Sequence, residues 1–169
     1  PAVGRVLSAL LLSTGLAFAA GCSKDKNIDP PAELTKFESA ARIQTVWSAS
    51  AGGGEPKMRL GLSHAIHDGA VFAADHKGNV SAFSVENGKR LWRTETKMPL
   101  TAGPGAGEGL VVAGASHGDM VALDAKTGEV RWKGRINSEL LSAPAIAAKV
   151  VAFRAVDGRV VAFSPVDGK

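Results

Sequence analysis

A single cysteine, Cys22, occurs in the 169 residues. A lone cysteine excludes an internal disulfide framework and a cysteine-based zinc site. Charge is sparse as well: Asp, Glu, Lys and Arg make up 21% of the chain, and the formal net charge is +4. The densest basic neighbourhood, Lys24–Asp25–Lys26, already contains an acid. There is no basic stripe with interleaved aromatics, which argues against a nucleic-acid partner. The glycine-rich run Thr101–Gly107 lacks the lysine and following helix of a phosphate loop, and it reads as the approach to an inner strand. His64, His67, His76 and His117 are not accompanied by a carboxylate-plus-histidine set at metal-ligand spacing. His64 and His67, three apart, point to opposite faces if they lie on a strand. Asp75, Asp124, Asp157 and Asp167 sit in or beside turns, where side-chain-to-backbone bonding accounts for them without catalysis. No catalytic, metal or cofactor-binding residue is assigned.

What is present begins with an address. Arg5 precedes a largely apolar stretch, Val6–Ala20, which ends in Ala19–Ala20–Gly21–Cys22. A basic residue, a short apolar run and small residues before a cut site make a secretory signal peptide. The run falls short of the roughly 20 apolar residues that a membrane-spanning helix needs. Cys22 directly after Ala-Gly resembles the lipobox of bacterial lipoproteins, with Ala19 where that signal usually has Leu. On that reading residues 1–21 are removed and Cys22 carries the acyl chains; the other reading is an ordinary signal peptide with an incidental cysteine. Ser23 is not the Asp that retains such proteins at the inner membrane, so the address resembles an outer-membrane one. Residues 22–42 then form a polar tether stiffened by Pro30–Pro31, with room for a helical turn or two over Pro31–Ser39.

From residue 43 onward a repeat decides the fold. Gly78–Asn79–Val80–Ser81–Ala82–Phe83 recurs 40 residues later as Gly118–Asp119–Met120–Val121–Ala122–Leu123, and again as Gly158–Arg159–Val160–Val161–Ala162–Phe163. Gly88, Gly128 and Gly168 keep the register, as do Trp92 and Trp132. The first unit is expected to hold strands at 64–67, Ala70–Ala74, Val80–Val85 and Lys89–Thr94, joined by tight turns at Asp75–Gly78 and Glu86–Gly88. Four short antiparallel strands per roughly 40–50 residues is the pattern of a β-propeller blade. The repeats fall near 61–100, 101–140 and 141–169. Ala82, Ala122 and Ala162 mark a site where only a methyl fits under a neighbouring blade, and the tryptophans are placed to cover the blade-to-blade seams. Gln44–Thr45–Val46–Trp47–Ser48 reads as a further tryptophan-bearing outer strand that would complete a closing blade. A start at Pro1 and a stop at Lys169 in mid-pattern read as cut ends, leaving the third blade without its outer strand.

The run from Gly118 to Trp132, with Asp124, Thr127 and Gly128, is similar to the PQQ-like repeat of quinoprotein dehydrogenases. Together with the lipobox, the tether, Thr45–Val46–Trp47–Ser48 and Val71–Phe72–Ala73–Ala74–Asp75, the chain from Cys22 to Lys169 resembles the propeller lipoproteins of the outer-membrane β-barrel assembly machinery. The resemblance implies an all-β, eight-bladed propeller, of which about three blades are present. It implies a structural role for Gly78, Gly88, Trp92, Gly118, Asp124, Gly128, Trp132, Gly158 and Gly168. It also implies a non-catalytic scaffold without a cofactor, lipid-anchored to the outer membrane and facing the periplasm. The implied partner is BamA, the central barrel subunit, through its periplasmic domains. In that family the best-known BamA-binding loop follows the fourth strand of the third blade, a strand that begins at Lys169 here, so no partner-binding residue is carried over. Two other readings stay open: a periplasmic quinoprotein dehydrogenase, a class that typically carries adjacent cysteines near its cofactor, and a propeller that binds another envelope component.

Overall fold

The computed structural model describes residues 31–36, 41–53 and 61–169. Cys22 and the apolar stretch Val6–Ala20 lie outside the described residues. The chain groups into two units, Pro1–Arg42 and Ile43–Lys169. In the first, residues 31–36 have no regular secondary structure, and the rest of the Pro31–Ser39 segment lies outside the described residues.

The second unit is built from strands alone among its described residues. In chain order they are β1 (Gly61–Leu62), β2 (His64–His67), β3 (Ala70–Ala74), β4 (Asn79–Ser84), β5 (Arg90–Glu95), β6 (Leu100–Gly107), β7 (Leu110–Ala115), β8 (Asp119–Asp124), β9 (Val130–Arg135), β10 (Ala145–Ala147), β11 (Val150–Arg154) and β12 (Val160–Phe163). They form three sheets, ordered β2-β3-β4-β5, β1-β6-β7-β8-β9 and β10-β11-β12. The consecutive strands β2–β5, β6–β9 and β10–β12 each form an antiparallel meander, as expected of propeller blades, and the pairing repeats at the sequence period. Ala70 faces Ser84 as Leu110 faces Asp124, and Ala82 faces Trp92 as Ala122 faces Trp132. A bulge follows the alanine in both, between Ala82 and Phe83 and between Ala122 and Leu123. The third blade reuses the second's bridge: Leu100 pairs with Ala115, and Leu140 pairs with Ala155.

Alternation along each strand sends successive side chains to opposite faces, and both faces of the second blade find a neighbour. Ala70, Phe72, Val80 and Ala82 of the first blade pack on Val111, Ala113, Val121 and Leu123 of the second. The second blade's other face, with Leu110, Val112, Met120 and Ala122, packs on Val151 and Phe153 of the third. The outward face of the third blade has no such cover among the described residues: Val160 is 72% exposed and Ala162 is exposed, whereas Ala82 and Ala122 are fully buried.

Three features differ from the sequence expectation. The glycine-rich run is not an approach to the inner strand but the inner strand itself, β6. Its glycines give the close approach: a side chain at Gly105 would collide with the Pro144 carbonyl, and one at Gly107 would crowd Ile146. The second sheet gains a fifth strand because β1 runs parallel to β6, pairing Gly61 with Ala102 and Leu62 with Gly103. Residues 44–48 form no strand. A strand needs a paired edge, and among the described residues the backbone of this segment has no ladder partner, although its tryptophan is docked.

Candidate functional site: the blade seams

Trp92 and Trp132 each reach out of their own blade and close on the next, and Trp47 docks on the first blade from a segment without strand structure. Trp92 donates its indole N–H to the Ala125 carbonyl at 2.9 Å, and Trp132 donates to the Pro165 carbonyl at 2.8 Å. Trp47 does the same to the Val85 carbonyl at 2.8 Å. The acceptors lie in the turns after β8, β12 and β4, and each turn contains the repeat glycine. A Cβ at Gly128 would lie 2.6 Å from the Trp92 ring, one at Gly88 2.6 Å from the Trp47 ring, and one at Gly168 2.5 Å from the Trp132 ring. The indole thus lies flat against a glycine whose φ is positive, +75° at Gly128. Both demands, a left-handed backbone and no side chain, are met by glycine alone. The Trp92 ring also meets Phe72 with centroids 5.9 Å apart, joining the seam to the apolar core.

The turn under each tryptophan is fixed by a short polar side chain. Asp124 accepts from the backbone N–H groups of Lys126 and Thr127, each at 2.9 Å, and its other oxygen accepts from Arg131 at 2.6 Å. The Thr127 amide, then the Arg131 guanidinium, hold the Asp124 carboxyl down at about 2. Ser84 and Ser164 occupy the equivalent position, where their hydroxyls accept from the amides of Glu86 and Val166. Thr94 adds a cross-seam bond, its hydroxyl donating to the Gly128 carbonyl at 2.6 Å.

At the opposite end of the blades, Gly78 and Gly118 occupy the turns before β4 and β8. A side chain at Gly118, where φ is +81°, would collide with the Ile136 carbonyl, and one at Gly78 would lie 2.6 Å from that of Met98. Gly158 has the same backbone sign but nothing within 4 Å. Beside it Asp157 is held at about 2 by Arg159, which donates from its side chain and its amide.

The first blade carries polar groups that its repeats do not. Asp75, almost fully buried, accepts three hydrogen bonds from Asn79, one from the amide and two from Nδ2. Ala115 and Ala155 stand at the equivalent places. Ser81 is buried with no partner for its hydroxyl among the described residues, where the repeats have Val121 and Val161. No unusual residue type announced these groups; only aligning the three repeats position by position marks them. His64 is exposed, His76 Nδ1 bonds the Leu100 carbonyl, and His117 bonds Ser116. Among the described residues no group of three or more His, Cys, Asp or Glu is placed to hold a metal ion.

Tryptophan-docked, glycine-turned sheets in series, each built on an antiparallel meander of three or four strands, define a propeller of the PQQ-repeat type. A family model described as outer membrane protein assembly factor BamB matches residues 1–99 and 76–169, and the chain belongs to that family. The outer membrane protein assembly factor BamB of Xanthomonas campestris is 37% identical over 157 residues, covering 80% of this chain and 38% of its own. The crystal structure of BamB from Moraxella catarrhalis superposes with a TM-score of 0.59 at 25% identity, over 66% of this chain and 34% of that one. A quinohemoprotein alcohol dehydrogenase from Pseudomonas putida shares the fold at 21% identity, with a TM-score of 0.53 over 67% of this chain and 20% of that one. The chain thus spans well under half the length of these relatives.

Proposed function

We propose that this chain is part of a non-catalytic scaffold of the outer-membrane protein assembly complex, assisting the folding and insertion of β-barrel proteins. In this reading Cys22 is acylated, the acyl chains hold the protein on the outer membrane facing the periplasm, and the propeller binds the periplasmic domains of BamA. The family match over the whole chain carries the reading. The roles of the recurring residues support it: the repeat glycines of the first two blades, Trp92, Trp132 and Asp124 all hold turns and seams, as a rigid display surface requires. Stable anchoring needs two signals or more, each buried methylene contributing roughly 0.8 kcal/mol, which multiple acyl chains supply.

The test uses the whole protein in cells. A fatty-acid probe labels the wild type and not Cys22→Ser, and the variant moves to the soluble fraction. Affinity capture of the wild type from solubilised envelopes retains BamA. Equal labelling of Cys22→Ser removes the anchor from the reading. Capture that retains no BamA contradicts the scaffold role.

A further inference from the structure

No further inference is drawn: the strongest candidate, the outward face of the third blade where Val160 and Ala162 of β12 stand exposed, carries none because nothing in the structure shows what covers it.

Discussion

The second and third blades have nearly the same sequence pattern and opposite surroundings. Met120 and Ala122 of β8 are fully buried against the third blade, whereas Val160 and Ala162, at the same places on β12, are exposed. Gly118 lies under the Ile136 carbonyl, and Gly158 has open space around it. A blade's residues are therefore not core by virtue of their own sequence. They become core when a neighbour covers them, and the repeat pattern is the record of that expectation.

The largest expected effect comes from placing a charge on the two equivalent faces. Met120→Lys leaves an unpaired ammonium in a dry seam, at a cost of more than about 3 kcal/mol. It is expected to abolish the cooperative urea transition of this chain. Val160→Lys is expected to leave that transition unchanged within about 0.5 kcal/mol and to reduce aggregation, because it breaks up an exposed apolar patch. In any longer form in which a further blade covers this face, Val160→Lys becomes as damaging as Met120→Lys. That contrast, measured by denaturation of both forms, sharpens the comparison.

The glycine pair comes next. Gly118→Ala meets both the left-handed backbone and the Ile136 carbonyl, and a loss of about 3 kcal/mol is expected. Gly158→Ala meets only the backbone strain, roughly 1–2 kcal/mol. Equal melting shifts for the two would mean that the packing around Gly118 contributes nothing.

A smaller effect is expected at the tryptophans. Trp132→Phe keeps an aromatic ring on Gly168 but removes the donor to Pro165, at a cost of about 1–2 kcal/mol with the lost area included. Trp47→Phe removes the same kind of bond in a segment with no strand pairing, and less than about 1 kcal/mol is expected.

The smallest is the acid response of Asp124. Its carboxyl is held at about 2 in the folded state, below its ordinary 3.8. The folded state therefore binds fewer protons, and the stability this gives is present above about pH 4 and lost as pH falls towards 2. Asp124→Asn should flatten the acid limb of the stability profile between those values by lowering stability at pH 7, with the two proteins converging as pH falls towards 2. An unchanged acid limb would show that the turn does not depend on the charge.

The gapless 40-residue period made the blades, their turns and their pairing partners legible, because each blade repeats the same hydrogen-bond register. The seam role of tryptophan was legible from its place on an outer strand. What was not legible has separate physical causes. The β1–β6 pairing involves two residues and leaves no periodic trace. The glycines of β6 read as a loop because glycine is depleted from strands, yet here they admit Pro144 and Ile146. The segment around Trp47 carries the outer-strand pattern without the ladder, since side-chain docking on Val85 and Gly88 needs no neighbouring strand.

Amide hydrogen exchange of this chain, read strand by strand, tests most directly whether cover by a neighbour rather than blade sequence creates the core. Amides of β7 and β8, such as those of Val112 and Ala122, are expected to exchange at least about 100-fold more slowly than those of Val161 and Ala162 in β12, a difference on the order of 3 kcal/mol in opening free energy. Equal protection of β8 and β12 would contradict it, because the third blade would then hold its structure without the neighbour that the second blade has.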